Sequence, residues 1–175
     1  MVGTRTTRRS DLLSLTAMVL VVIAACGAAW FGWSWYSAAH DSSLSYSRVR
    51  DTVLRAGEQG VQNMNTLDYR NVNEGLSRWE QSSTGALNQE LVAGTSTFMV
   101  QVQQARTIST AKILDGAVKE LDEHAGQATV VVAVQITLVT PDGKSTIKEN
   151  RMLAQLTRTP SGWKLSALGS PPVGG

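Results

Sequence analysis

Hydrophobic positions along this chain follow three successive patterns: an unbroken apolar run, then a spacing of three to four residues, then strict alternation. The run occupies residues 12–35 and contains no charged side chain. About two dozen apolar residues are enough to cross the hydrocarbon core of a bilayer as one helix. We therefore predict a tail over residues 1–11, a transmembrane helix over 12–36 and a separate domain over 41–169.

The two ends of the run differ in charge and in aromatic content. The tail before it carries Arg5, Arg8 and Arg9, which by the positive-inside rule keep the N-terminus in the cytoplasm. Aromatic rings at the other end are typical of the outer membrane–water interface. The predicted anchor residues include Leu12, Val19, Ile23, Trp30, Trp33 and Trp35. We expect a single-pass protein of the cell membrane with an extracytoplasmic C-terminal domain.

Cys26 is the single cysteine of the chain and lies inside the run, so the outer domain can form no internal disulfide. Residues 23–26 also resemble a bacterial lipobox, where a signal peptide is cut and the new N-terminal cysteine is acylated. The run continues apolar beyond Cys26, where a lipoprotein usually begins a polar tether, and this favours an uncleaved helix. Lipoprotein processing and ordinary signal cleavage stay open.

A spacing of three to four residues predicts three amphipathic helices in the first half of the domain. The first covers 43–65, and its apolar face consists of Val49, Val53, Gly57, Val61 and Met64. Glycine costs about 1 kcal/mol relative to alanine in a helix interior, so Gly57 and Gly60 indicate close packing against another element.

Two further helices follow, each with a candidate cap. Asn71 and Glu74 have capping-box spacing before a short helix, and Thr84 can cap a third. The inward positions are Val72, Leu76 and Trp79 on the second helix and Leu87, Leu91, Phe98 and Val102 on the third. We expect residues 94–97, Gly-Thr-Ser-Thr, to make the middle of the third helix irregular.

Alternation takes over after Arg106 and predicts four strands. The clearest strand covers 127–140, with Val130, Val132, Val134, Ile136 and Leu138 on one face. Strands over 107–121, 145–157 and 163–168 surround it, with a bend or bulge at Asp115-Gly116 and turns at 141–144 and 160–162. The predicted fold class is therefore α+β: about three helices packed on a curved four-stranded antiparallel sheet, followed by a flexible tail over 170–175.

Charge excludes one class of partner. The chain has 16 basic and 14 acidic residues; the tail takes three arginines and Asp11, which leaves 13 of each sign in the rest. A neutral domain without an Arg/Lys cluster lacks the electrostatic footprint of a nucleic-acid-binding protein.

Catalytic and metal-binding motifs are not evident in the sequence. His40 and His124 are far apart, and no His or Cys pair has ligand spacing. Asp68 and Tyr69 form the best acid–hydroxyl pair, and with Trp79 they are the candidate pocket residues. The favoured interpretation is nevertheless structural: Asp68 caps a helix and Tyr69 packs. We expect no catalytic residues, no metal, no cofactor and no enzymatic activity.

Several short motifs, in order and over nearly the whole chain, resemble those of actinobacterial Mce-associated membrane proteins. They are residues 66–72 (TLDYRNV), 83–85 (STG), 128–134 (ATVVVAV), 150–152 (NRM) and 162–168 (GWKLSAL). This resemblance implies a cone-shaped fold like that of nuclear transport factor 2 outside the membrane, in an accessory role beside an Mce-type importer of lipids or sterols. It implies no catalytic residues.

Three functions follow as hypotheses. The first is a non-catalytic accessory scaffold for envelope transport proteins of an Mce system. The second is an assembly scaffold of type IV secretion, whose inner-membrane components resemble this chain in anchor and fold. The third is a small-molecule-binding or isomerase-like cone around Asp68 or Tyr69. The oligomeric state is not predicted.

Overall fold

The computed structural model describes residue 18, residues 26–34 and residues 42–170 of the 175-residue chain. It divides the chain into two compact units, Met1–Tyr46 and Ser47–Gly175. Between residues 42 and 170 the elements are α1 (Ser42–Met64), β1 (Leu67–Asp68), a 3-10 turn (Tyr69–Asn71), α2 (Val72–Ser82), α3 (Gly85–Ala105), β2 (Ile108–Asp122), β3 (Gln127–Val139), β4 (Ser145–Thr159) and β5 (Gly162–Gly169). The predicted α+β class is confirmed.

The predicted membrane anchor lies mostly outside the described residues. Arg5, Arg8, Arg9, Leu12, Val19, Ile23 and Trp35 all fall outside them, as does the tail from residue 171 on. Residues 26–34 are helical, and Trp30 and Trp33 are both 78% exposed. Among the described residues, no helix combines the length and the apolar character needed to cross a membrane.

The five strands form one antiparallel sheet in the order β1-β2-β3-β4-β5. The sequence predicted four strands, and this number is wrong because β1 was missed. β1 has only two residues, Leu67 and Asp68, which pair with Ser109 and Ile108. Two residues are too few to show an alternating pattern, so this strand depends on its tertiary partner.

The core lies between α1 and the inner face of the sheet. Val130, Val132 and Val134 of β3 are fully buried, as the alternation predicted, together with Val53 and Val61 of α1. Fully burying such a side chain contributes about 1.5–3 kcal/mol relative to leaving it exposed.

Burial on this face of β3 decreases toward the turn that follows the strand. Ile136 is half-buried and Leu138 is 38% exposed, so the prediction that all five alternating residues are core is wrong at this end. Gly57 of α1 lies against Val130, near the opposite end of the strand.

The two glycines of α1 are sites of close packing, as predicted. A Cβ on Gly57 would lie 3.1 Å from Cβ of Val130, and one on Gly60 would lie 2.8 Å from Cγ of Leu165. Because ordinary carbon contacts are about 3.5–4.0 Å, the missing side chains allow α1 to sit directly on β3 and β5.

The predicted bulge in β2 is also present. The register of β2 against β3 shifts between Ile113 and Asp115, so Leu114 is the extra residue. A Cβ on Gly116 would lie 3.1 Å from Cδ1 of Leu54, so glycine leaves room for α1 beside the bulge.

Three local predictions in the helical half are wrong. Asn71 and Thr84 occupy N-cap positions, but neither side chain makes a capping hydrogen bond. α3 continues without a break through residues 94–97. The Thr95 hydroxyl donates a hydrogen bond to the Leu91 carbonyl of the same helix at 2.8 Å, so this polar side chain does not interrupt the helix. In addition, no residue of α3 is fully buried, so this helix covers the core less than its pattern suggested.

Candidate functional site

Asp68 and Tyr69 lie at the β1 edge of the sheet, where Asp68 is committed to a local role. Its Oδ1 accepts a hydrogen bond from the Arg70 backbone N–H at 2.9 Å. Asp68 therefore caps the 3-10 turn, in agreement with the capping interpretation of the sequence. The Arg70 side chain adds contacts from Nε at 3.0 Å and from Nη2 at 2.6 Å. These hydrogen bonds from Arg70 lower the pKa of Asp68. A carboxylate held ionised by a guanidinium is a poor proton acceptor.

Trp79 lies elsewhere, between the second and third helices. Its indole Nε1 donates to the Asn63 carbonyl at 2.8 Å, which fixes the ring against the end of α1. The ring centroid is 5.0 Å from that of Phe98, with the planes tilted by 46°. Such tilted pairs contribute about 0.5–1.5 kcal/mol beyond their buried area. The three candidate pocket residues therefore do not form one site.

The turn between α2 and α3 is attached to the sheet. Ser83 makes a parallel bridge with Leu165 of β5, and the Thr84 N–H donates to the Leu165 carbonyl at 2.8 Å. The buried Ser83 hydroxyl donates to the Trp79 carbonyl at 2.8 Å and accepts from Asn88 Nδ2 at 3.0 Å. The turn that joins α2 to α3 is thus held against the sheet, and both helices extend away from this attachment.

An apolar groove of about 360 Å³ runs between these two helices. We call it the hairpin groove; it is lined by Leu76, Trp79, Leu91, Gly94, Thr95 and Phe98, with the exposed side chains of Glu90, Thr97 and Gln101. An adjoining hollow of about 180 Å³ shares several of these residues and adds Val92, which is 52% exposed. The apolar surface therefore continues along the helix pair.

The charges around the hairpin groove have one sign. Among the described residues that line it, Glu90 is the one ionisable side chain, and Glu80 borders the adjoining hollow. Both side chains belong to exposed residues. An occupant with an apolar surface and a basic flank would complement this arrangement.

Gly94 is the residue of this groove that sequence reasoning misread. A Cβ at this position would meet no atom within 4 Å, so packing does not explain a glycine in the middle of α3. The sequence signal for it was a glycine in the interior of a predicted helix, where glycine costs about 1 kcal/mol relative to alanine. A glycine that no intramolecular contact requires leaves room for an external one.

The largest hollow of those described, about 600 Å³, is polar and lies over the outer face of the sheet. It includes the carboxylates of Glu120 and Asp122, but Asp122 Oδ1 already accepts from the N–H groups of His124 and Ala125 at 2.9 Å. Within the described part of the chain, no three His, Cys, Asp or Glu side chains are grouped to hold a metal ion.

Side chains fill the interior between α1 and the sheet where Gly57 and Gly60 approach it. The approach of Gly57 to Val130 and of Gly60 to Leu165 leaves no space for a ligand at those points. Asp68 and Tyr69 line none of the hollows described above. The hairpin groove is an accessible apolar surface on the outside of the domain.

Solved structures with the same fold include two type IV secretion proteins and the periplasmic domain of DotI. An IcmL-like type IV secretion system protein from Legionella pneumophila superposes with a TM-score of 0.57 and 14% identity over 72% of this chain and 94% of that one. The periplasmic domain of DotI gives 0.55 and 14%, over 68% and 94%. CagV, a VirB8 homologue from Helicobacter pylori, gives 0.51 and 13%, over 68% and 95%. At such identities the likeness establishes the fold.

Sequence comparison identifies a family. Residues 12–170 match the family described as "Uncharacterized protein Rv1363c/MT1408-like". The Mycobacterium tuberculosis protein Rv1363c is 28% identical over 130 residues, which are 74% of this chain and 49% of that protein. The chain therefore spans about half the length of the curated relative that it matches.

Proposed function

The chain belongs to the Rv1363c/MT1408-like family, and we propose that its domain is a non-catalytic assembly domain that binds a partner protein at the cell envelope. The observation that carries this proposal is the hairpin groove, an apolar surface on the outside of the domain. Exposed apolar surface of this kind marks protein interaction sites.

The occupant that we propose for the groove is an amphipathic helix of the partner. A helix lying along such a channel places residues at positions i, i+3, i+4 and i+7 into it. Trp79 and Phe98 would supply the aromatic contact area, since residues of this kind dominate binding energy at interfaces. Glu80 and Glu90 favour lysine or arginine beside the apolar face of that helix.

Two classes of partner complex are in question. Two of the solved structures of similar fold, the IcmL-like protein and CagV, are type IV secretion proteins, and this supports a secretion-type assembly. The sequence motifs instead suggest an accessory role beside an Mce-type lipid importer. We favour the secretion-type assembly and treat the Mce system as the alternative.

The membrane topology is part of the same proposal. The uncharged run at 12–36 would anchor the chain, with the three tail arginines in the cytoplasm and the domain outside. Tethering raises the effective concentration of a weak contact, so a modest groove contact would be sufficient in a membrane assembly.

Filling the hairpin groove tests the proposal. Gly94→Leu places a side chain in the open space of the groove, whereas Ala93→Leu adds the same side chain at an exposed neighbour outside its lining. We expect affinity isolation of the full chain from its own cells to recover partners with wild type and Ala93→Leu but not with Gly94→Leu. Identification of those partners by mass spectrometry separates secretion components from Mce proteins.

Equal recovery of the same partners by Gly94→Leu and Ala93→Leu would contradict the groove as the contact site. Loss of function in Asp68→Ala, with partners still recovered, would replace the assembly proposal by a ligand-binding or catalytic one.

A further inference from the structure

Within residues 47–170, no helix lies on the outer face of the sheet. α1 and α3 pack on the inner face, through Gly57 against Val130 and through Leu87 against the core. No residue that β2, β3 or β4 directs to the outer face is buried. A sheet that packs on one side only can receive a second sheet on the other. We call this surface the outer sheet face; its centre on β3 is Thr129, Val131, Ala133, Gln135 and Thr137.

Charged residues of the outer sheet face form two rows across β3. In the order β2-β3-β4, these rows are Asp115-Ala133-Arg151 and Lys112-Gln135-Glu149. Each row has opposite charges at its two ends, and the order of signs reverses from one row to the next. Glu149 Oε1 accepts a hydrogen bond from Gln135 Nε2 at 3.2 Å, in agreement with their place on one face. Within residues 47–170, none of the four charged side chains forms an ion pair, so a second molecule can pair with them.

A two-fold axis parallel to β3 matches each row with its own copy. In face-to-face packing about this axis, β2 of one copy lies on β4 of the other, at the same height along the strands. Asp115 then faces Arg151 of the second copy, and Lys112 faces Glu149 of the second copy. The axis repeats both contacts, so every charge in the two rows faces its opposite.

The centre of the outer sheet face is apolar and suits the same axis. Val131 and Ala133 face their own copies, and Ala117 faces Leu153 of the second copy. Two aligned sheets pack about 10 Å apart and cross at about 30°. With the crossing point at Ala133, the next row lies about 7 Å away along the strand and is offset by roughly 3.5 Å. The long lysine and glutamate side chains of that row can span this offset.

The acidic end of the outer sheet face causes no conflict in this arrangement. Glu120 and Asp122 of β2 face Gln155 and Thr157 of β4 in the second copy, and both of these residues are uncharged. No row of the three strands therefore places like charges opposite each other.

The size of the outer sheet face is sufficient for a stable contact. β3 has 13 residues, and with its two neighbours it presents a flat area of roughly 600 Å². Side-chain relief and the contribution of β5 raise this area toward the value of about 800 Å² per partner in a typical interface. We therefore propose that the outer sheet face is a self-association site for a second copy of this chain. The two copies pack face to face about a two-fold axis parallel to β3, with the crossing point near Ala133.

Two complementary charge reversals in the full chain test this arrangement. Asp115→Arg places two arginines opposite each other when the variant associates with itself, and Arg151→Asp likewise places two aspartates opposite each other. A mixed pair of the two variants is complementary again. In that pair the introduced arginine faces the introduced aspartate, and the two native residues face each other.

Co-isolation of two differently tagged copies, expressed in the same cells at equal abundance, measures the association. Wild type should recover its own copy. Each variant should recover its own copy about tenfold less, equivalent to about 1.4 kcal/mol, whereas Asp115→Arg should recover Arg151→Asp at the wild-type level. Lys148→Glu is the control, because it reverses a charge on β4 at a position paired with the inward residue Ile136. This control should leave self-recovery unchanged.

The proposal is overturned if wild type does not recover its own copy, or if each variant recovers itself as well as wild type does. A two-fold axis across the strands, midway between the two rows, would instead bring Asp115 to Lys112 of the second copy. The mixed pair would then stay weak, and this result would also overturn the proposal. Gly94→Leu should recover its own copy at the wild-type level; a loss would place the self-contact in the hairpin groove and not on the outer sheet face.

Discussion

The same substitution at two helix glycines should change stability in opposite directions. At Gly60 a Cβ would lie 2.8 Å from Cγ and Cδ1 of Leu165, about 0.7 Å short of an ordinary carbon contact. Leu165 is fully buried, so its side chain is packed on all sides and has little room to move away from an added Cβ. At Gly94 nothing lies within 4 Å of the added atom. Alanine therefore gains helix propensity at both positions, but its Cβ meets a close contact only at Gly60.

The magnitudes decide the sign at each position. Overpacking costs about 1–3 kcal/mol, and alanine returns about 0.5–1 kcal/mol of helix propensity over glycine. Gly60→Ala should therefore destabilise by about 1 kcal/mol, and by about 2.5 kcal/mol at most. Gly94→Ala should stabilise by about 0.5–1 kcal/mol.

Urea unfolding of a fragment that contains residues 41–175 measures both variants. The midpoint should fall for Gly60→Ala and rise for Gly94→Ala, with an unchanged slope m in each case. The reasoning is refuted if Gly60→Ala is as stable as Gly94→Ala, since the close approach of α1 to β5 would then have no energetic weight.

Further outcomes follow from the core, the ion pair and the predicted topology. Val134→Asp buries an unpaired carboxylate in place of a fully buried valine and should cost about 3 kcal/mol or more; an unchanged unfolding midpoint would contradict the β3 register. Arg70 lowers the pKa of Asp68, so the pair stabilises the fold above the ordinary aspartate pKa of about 3.9, and this stabilisation is lost as pH falls through the lower folded value. Asp68→Asn should therefore be destabilising at pH 7 and should lose that effect in acid; an equal effect at both pH values would argue against the ion pair. Protease added to spheroplasts should digest the domain after residue 41, and its protection would refute the predicted topology. Cys26→Ser should leave the mass and membrane attachment unchanged, whereas loss of an acyl mass would show that the chain is a lipoprotein.

Elements with a strong period were predictable from the sequence. The alternation in β3 and the four-residue spacing in α1 identified both elements and their buried faces, and the two glycines of α1 were correctly assigned to close packing. These features depend on local pattern and on one partner surface.

Features that depend on tertiary partners were not predictable. β1 exists because Leu67 and Asp68 meet the start of β2. Thr84 has the right position to cap α3, yet its backbone N–H bonds to Leu165 and its side chain does not cap the helix. Side-chain capping and attachment to the sheet are alternatives that the sequence does not distinguish.

The hairpin groove was missed for a related reason. Its lining comes from two helices whose inward residues were assigned to the core, including Trp79, Leu91 and Phe98. Periodicity shows which side of a helix is apolar but not what covers it. α2 and α3 bury their apolar faces against each other only in part, and the rest of this apolar surface is accessible.

Complementation of a deletion strain tests the central claim most directly. The claim is that this chain acts through its surfaces and not through chemistry at Asp68 or Tyr69. Asp68→Ala and Tyr69→Phe should restore function at wild-type level when the protein is present at wild-type abundance. Gly94→Leu at equal abundance should not, because its groove is filled. The account is contradicted if Asp68→Ala abolishes function while Gly94→Leu restores it.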